Sequence, residues 1–305
     1  MIHPGDAASD GLFGHDTLRW PGKVSAADEA LGVPRLAAAT LSLDNLVGLG
    51  RSSEVFRYDQ GLVLKLYRTR GCPSAVMAEF QASCLAHVLG LPVPRPVALL
   101  EREGRTGILF EHMHGGTMLD ACRQRPLDTF RELGRLARLQ HTINACEGSC
   151  LADQHEVLRL QVEDARVPGA VRRAALATLA RLPGGQRLCH GDLHPENVIC
   201  TPDGPRVIDW QKATTGNPAG DVARTALLLR YGRIDLGWLA RCLPVDTARA
   251  ALAWFYVECR RQLGGPGREE VAAWQLPLLV ARLYEQPAAN EVEVLTAAEQ
   301  LASRT

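Results

Sequence analysis

Acidic and basic residues stand at 34 each in this 305-residue chain, so the sequence lacks a surplus of either sign. That removes the electrostatic case for a nucleic-acid or other polyanionic partner, because phosphate-backbone binders carry a basic excess. Nine cysteines are present, an odd number with no C-x-x-C pair. No disulfide framework is implied, and most read as small buried residues of a reducing compartment. The start, MIHPGDAASDGLFGHD, has neither the basic n-region nor the apolar h-region of a signal peptide. No uninterrupted apolar run is long enough to span a bilayer, and there is no internal repeat or low-complexity tract. The expectation is a soluble, cytoplasmic protein, monomeric or homodimeric, with no nucleic-acid and no membrane partner.

What is there is an ordinary globular composition, 46% hydrophobic and 22% charged, at a length that suggests about two domains. Residues 1–34 are rich in Gly, Asp, Ala and Pro without periodicity and read as an extension. From Asp44 short β-type runs begin: DNLVGLG, EVFRY and, after the turn DQG, LVLKLY. Residues 75–89 carry Val76, Phe80, Leu85 and Leu89 at helical spacing and end at Gly90. LPVPRPVALLEREGRTGILFEHM then gives a Pro-rich connector and two strands around REGR. After Gly115-Gly116 the pattern turns helical, with LDTFRELGRLARLQHTI the clearest amphipathic stretch, and from Asp221 onward it is helical again. The reading is an α+β chain: a small antiparallel β lobe with one helix over 35–113, a larger, mainly helical lobe over 114–305, and a hinge near residues 111–116.

Between the helical stretches lies LCHGDLHPENVICTPDGPRVIDWQK, from Leu188 to Lys212. It gathers His190, Asp192, His194, Glu196 and Asn197 in one turn between strands and places Asp209 on what reads as a strand. One reading is a metal hydrolase using His190-x-Asp192-x-His194. Such a site needs at least one further ligand, and no second His-rich cluster appears.

The other reading is phosphoryl transfer, which needs positioning more than covalent chemistry. Magnesium bridging phosphates requires hard oxygen ligands, a carboxylate must stand beside the acceptor hydroxyl, and a lysine and backbone N–H groups must hold the phosphates. The parts follow in that order. Gly48-Leu49-Gly50-Arg51-Ser52-Ser53 lies between strands as a phosphate-covering loop. Lys65 sits in the next strand, in an apolar run where an unpaired ammonium is costly, and Glu79 in the following helix offers it a partner. Asp192, Asn197 and Asp209 complete the set. We read a phosphoryl-transfer site.

These parts resemble the aminoglycoside phosphotransferase and choline kinase group, small-molecule relatives of the protein kinases. The resemblance spans most of residues 42–285 and is most specific in HGDLHPENVI, VIDWQ and GNPAGDVAR. It implies the protein-kinase-like two-lobe fold, ATP as donor, with GTP the alternative, and Mg2+. By that similarity Asp192 orients or deprotonates the acceptor hydroxyl, while Asn197 and Asp209 hold the metal. Phe110 borders the adenine, with the Glu111 carbonyl and Met113 N–H at its edge. Asp221 braces the catalytic loop as a helix N-cap. Two departures matter. Ser52-Ser53 stand where protein kinases place a third glycine. Gly191 stands where they carry an arginine that reads a phosphorylated activation loop, and no such segment follows Asp209. The acceptor is therefore expected to be a small molecule.

For the remaining histidines, His190 is expected to bond backbone near Asp209 and His194 to pack beside Pro195. His141, Cys146, Cys150 and His155 superficially suggest zinc, but lack the spacing of common sites and read as helix-terminal and packed residues. The acceptor pocket is expected after Asp221, where WFYVECRRQL offers aromatic faces and Glu258. Glu269, Glu270, Glu285, Glu291 and Glu293 follow, most of them expected on solvated helix faces. Carboxylates suit a polycationic antibiotic and an aromatic wall suits a quaternary amine, whereas the balanced charge does not favour a strongly cationic substrate. An aminoglycoside-like antibiotic leads as acceptor. A metabolic sugar or amino-alcohol kinase is the alternative, and a non-catalytic kinase-like binding protein the alternative of a different class.

Overall fold

The computed structural model describes residues 43–50, 52–58, 61–68, 73–102, 104–232, 244–285 and 291–304; the extension expected over 1–34 lies outside them. The described residues divide into two compact units. One takes in those up to Met77 and Arg95–His112, the other Ala78–Pro94 and those from Met113 onward.

The first unit is an antiparallel sheet in the order β1-β2-β3-β5-β4, with β1 Leu46–Leu49, β2 Ser53–Arg57, β3 Leu62–Tyr67, β4 Pro96–Arg102 and β5 Arg105–Glu111. Alternation along β3 sends Leu64 and Leu66 to one face, where they pack with Phe56 and Leu109 in a small core. Lys65 lies on the opposite face between Val55 and Ile108. The β1–β2 turn is closed by a bond from Gly50 N–H to the Ser53 carbonyl, 2.9 Å. Helix α1 (Pro73–Val88) ends at Gly90, which adopts φ 72°, a left-handed stop that glycine takes without a steric cost. Of the four apolar positions expected along it, Leu89 is exposed; Ala82 and Ala86 are buried instead.

The second unit is mainly helical. Its helices are α2 Met118–Gln124, α3 Thr129–Ala145, α4 Gln154–Asp164, α5 Gly169–Leu179, α6 Pro218–Tyr231, α7 Val245–Gln262, α8 Arg268–Ala273, α9 Gln275–Glu285 and α10 Glu291–Ala302. Local chemistry sets their starts. Thr117 and Asp120 form a reciprocal capping box on α2, with bonds of 3.1 and 3.0 Å. Asn217 caps α6 by accepting the Ala219 N–H at 2.8 Å, with Pro218 in the first turn. Helix α7 packs on α3 and α6, and α9 on α4 and α10. Two short sheets sit among them: β7 (Arg187–Cys189) pairs with β10 (Thr214–Gly216), and β8 (Val198–Thr201) lies between β6 (Gly116–Thr117) and β9 (Gly204–Val207). A continuous core that includes Met118, Leu136, Leu188, Trp210, Tyr256 and Trp274 joins helices to strands. No helix among the described residues is long and apolar enough to cross a membrane.

Candidate active site

Strand β7 delivers the chain into the loop from His190 to Asn197, and β8 carries it out. The loop is held from behind by Asp221 of α6, a buried carboxylate. Its oxygens accept the N–H groups of His190 (3.2 Å) and Gly191 (2.8 Å) and the side-chain amide of Asn144 (2.9 Å). These three donors offset the cost of burying the charge. Asn144, on α3, also donates to the Leu188 carbonyl at 2.9 Å and accepts from Arg260 of α7 at 3.0 Å. Asp221 therefore braces the loop, but not as the expected N-cap. Asn217 takes the cap, one turn earlier, which frees the Asp221 oxygens for the loop amides.

His190 is wholly buried, its ring against Trp210 with centroids 4.7 Å apart. Nε2 meets the Ile208 carbonyl at 3.1 Å, and Nδ1 accepts the Asp192 N–H at 3.2 Å. Only the neutral ring protonated at Nε2 can do both, and burial, which pushes its pKa down, favours that form. The expected bond to backbone near Asp209 is thus present. His194, its pKa also lowered by burial, stands 3.7 Å from Glu196.

The side-chain amide of Asn197 donates to the Asp192 carbonyl at 2.9 Å, and the Asn197 carbonyl accepts the Ile208 N–H at 3.0 Å. With its N–H so engaged, the amide oxygen of Asn197 is the end left for other partners. Asp209 is not on a strand, as its apolar neighbours suggested. Strand β9 ends at Val207, and Asp209 adopts φ 65°, the left-handed region, before a 3-10 turn from Trp210 to Lys212 that it does not cap with its side chain. Aspartate is among the few residues that take this conformation, and such strain gathers at functional sites. A carboxylate and an amide oxygen on adjoining backbone suit Mg2+, which keeps waters and completes its shell with phosphate oxygens. Among the described residues no three His, Cys, Asp or Glu side chains gather into a protein-only metal cage, so the H-x4-C-x3-C-x4-H series is not brought together. His155 is engaged by the Leu182 carbonyl (3.2 Å) and the Trp274 ring.

Around Asp192 the structure adds three residues that sequence reasoning did not assign there. Lys212 Nζ is 3.4 Å from Asp192 Oδ1 and 3.1 Å from Glu285 Oε2. Arg224 Nη2 bonds the same Glu285 oxygen and stands 3.8 Å from Asp192 Oδ1. Burial pushes the Glu285 carboxyl up, but Arg224 and Lys212 outweigh it and hold the pKa at about 2. Glu285, expected on a solvated helix face or open to a cationic acceptor, is instead an internal anchor. Glu258 is likewise spent, bonded to Arg261 and to Arg268, each at 2.6 Å. Of the aromatic stretch, Tyr256 is buried, while Trp254 is exposed under Arg268. One signal for Arg224 was legible: it follows Asp221 by one helical turn and so shares its face.

In the first unit, Gly48 faces Val55, and Ser52 is exposed whereas Ser53 is buried at the head of β2. Lys65 projects 5.6 Å from the Tyr67 ring centroid. Phe110 is half-buried near the end of β5 and Glu111 is exposed, accepting the Arg95 N–H at 3.4 Å. In the second unit, Glu79 is buried within α1 and Met113 is half-buried.

The family described as the phosphotransferase enzyme family matches residues 45–274. The 3-deoxy-D-manno-octulosonic acid kinase of Haemophilus influenzae (strain PittEE) is 32% identical over 120 residues, which is 35% of this chain and 49% of that protein. The chain thus spans about half the length of the curated relatives it matches. Among solved structures, a thermostable mutant of aminoglycoside phosphotransferase APH(4)-Ia, in ternary complex with AMP-PNP and hygromycin B, is similar with a TM-score of 0.57. The two are 17% identical, over 85% of this chain and 91% of that one. A choline/ethanolamine kinase family protein from Mesorhizobium loti is similar with a TM-score of 0.55 at 16% identity, over 91% and 94%. At these identities the likeness establishes the α+β, kinase-like fold.

Proposed function

The chain belongs to the phosphotransferase enzyme family, and from that premise we propose that it moves the γ-phosphoryl group of ATP to a hydroxyl of a small molecule. The observation that carries the reading is the setting of Asp192. Its backbone is fixed at both ends, by the His190 ring on its N–H and by the Asn197 amide on its carbonyl, so the aim of its carboxylate is set by the loop, while Lys212 and Arg224 stand beside one of its oxygens. In the step proposed, the acceptor oxygen attacks the γ-phosphorus and an O–P bond forms. The bridging P–O bond to ADP breaks with its electron pair, and the hydroxyl proton passes to Asp192. Asn197 and Asp209 would hold Mg2+, which would supply charge to offset that of the phosphates. Gly48, Gly50 and Ser52 with the Ser53 backbone cover the phosphates and Lys65 holds them, with Glu79 the partner expected from sequence for that lysine. Glu111 and Met113 read the base edge, contacts that admit GTP as well as ATP. Use of ATP fits a cytoplasmic protein.

Two acceptor classes have support. The neighbour solved with hygromycin B favours an antibiotic. The partial relative named for a sugar-acid kinase favours a metabolic sugar, and so does the engagement of Glu285 and Glu258 by arginines. A non-catalytic binding protein would be expected to have lost one of Lys65, Asp192, Asn197 or Asp209, and all four are present.

Asp192→Asn tests the reading. It keeps the shape and loses the charge, so turnover should fall by about 10² or more with Mg-nucleotide affinity little changed. A metal hydrolase would lose metal affinity first. Near wild-type single-turnover transfer by this variant would refute the role given to Asp192.

A further inference from the structure

Asp192 and Lys212 are the two members of the charged cluster that solvent reaches most readily. Lys212 is 33% and Asp192 18% exposed, against 12% for Glu285 and 7% for Arg224. Asp192 has its task in the acceptor hydroxyl, and Lys212 has none in the reading above. Its ammonium nevertheless lies 3.4 Å from one oxygen of the carboxylate proposed to meet the acceptor. Whatever hydroxyl reaches Asp192 must bring its neighbouring groups against Lys212. A cationic neighbour meets a like charge there, and Glu285, the carboxylate that pairs with Lys212 beside Asp192, is already bound by Arg224 and Lys212. Like charges placed together across a recognition surface are costly.

We infer that the acceptor carries an acidic group beside the hydroxyl that is phosphorylated, and that Lys212 turns from Glu285 to hold it. This rests on the phosphotransferase reading and narrows its substrate to hydroxylated acids, sugar acids or sugar phosphates, against polycationic aminoglycosides. The geometry permits the exchange. Arg224 is buried and bonds Glu285 directly, with Gln161 on the other Glu285 oxygen at 3.3 Å. Releasing Lys212 therefore leaves the Glu285 carboxylate still paired, and an incoming carboxylate or phosphate restores the partner that Lys212 gives up. Lys212 is thus a specificity-determining residue, and Asp192 remains the group that takes the proton.

The test is a set of hexoses differing in charge. Protein loaded with Mg-ADP is titrated by calorimetry at low ionic strength, where screening is least, with glucuronate, glucose 6-phosphate, glucose and glucosamine. The anionic sugars should bind about tenfold tighter than glucosamine, with glucose between; the rank of glucuronate against glucose 6-phosphate tells which acid is preferred. Lys212→Gln should collapse the preference and Lys212→Arg should retain most of it, with Mg-ADP affinity unchanged in both. Equal affinities, a reversed order or no binding of any sugar would overturn the inference while Mg-ADP binding leaves the phosphotransferase reading standing. Loss of Mg-ADP affinity in Lys212→Gln with the sugar preference intact would also overturn it, by assigning Lys212 to the nucleotide. Failure of the wild-type protein to bind Mg-ADP would remove both.

Discussion

Gly191 stands at φ 75°, and a Cβ there would run into the carbonyl oxygen of Lys212. The sequence marks this position as one where protein kinases carry arginine; the structure adds that no side chain fits. Gly191→Ala should lower stability by about 2 kcal/mol or more, read as a shift of the urea midpoint at unchanged slope. It should also reduce turnover, because the displaced Lys212 backbone adjoins Asp192. A variant as stable as wild type would show that the loop yields at no cost. At this scale the motif residues were legible because they lie close in sequence: Asp192, Asn197 and Asp209 fall within one short stretch. Glu285 was not, because its partners Arg224 and Lys212 are distant along the chain and an ion pair leaves no local pattern. It was read with the exposed acids of the following helices, and burial reverses that meaning.

The longer elements were legible, and several of the shortest were not. Helix α6 was placed at Asp221 but begins at Pro218, since Asn217 in the cap and proline in the first turn fix its start. Strands β6, β8 and β10 were missed because two to four residues carry no period. Yet the pairing of Val198 with Val207 sets Asn197 beside Ile208 and hence Asp209. Helix α9 matters through its last residue, Glu285, which ties it to α6 and to the 3-10 turn. The Glu285 carboxyl is held at about 2 against an ordinary 4.5. A depressed acid stabilises the fold above its unfolded value, and that stability is lost as pH falls from 4.5 through 2, on the order of 3 kcal/mol for this buried group. His190 is also depressed, from an ordinary 6.5 by burial. The neutral ring is favoured in the fold, so its contribution is present above 6.5 and declines as pH drops below it. Stability should therefore begin to fall below pH 6.5 and steepen below 4.5. Glu285→Gln should remove the lower, steeper part and leave the upper one, which denaturation midpoints between pH 7 and 3 would measure. An unchanged slope below 4.5 in the variant would contradict the pairing described.

For the whole chain, the order of motifs pointed to the fold, while the charged cluster proposed to meet the acceptor was illegible because Lys212, Arg224 and Glu285 lie apart in sequence. A ligand that binds only the folded state stabilises all of it by mass action. Mg-ATP at one hundred times its dissociation constant should add about 2.7 kcal/mol, seen as a rise in Tm. In the role proposed for Asp209, the metal-dependent share depends on that residue. Alanine is a poor probe of it, since a φ of 65° strains any ordinary side chain. Asp209→Gly removes the carboxylate while making that backbone conformation easier, so the comparison is made within the variant, with and without magnesium. With ligand, the difference between ATP alone and Mg-ATP should largely vanish, because the one anionic oxygen donor proposed for the metal is gone and the Asn197 amide remains. A variant that keeps the full magnesium-dependent rise in Tm would show that the metal is held elsewhere.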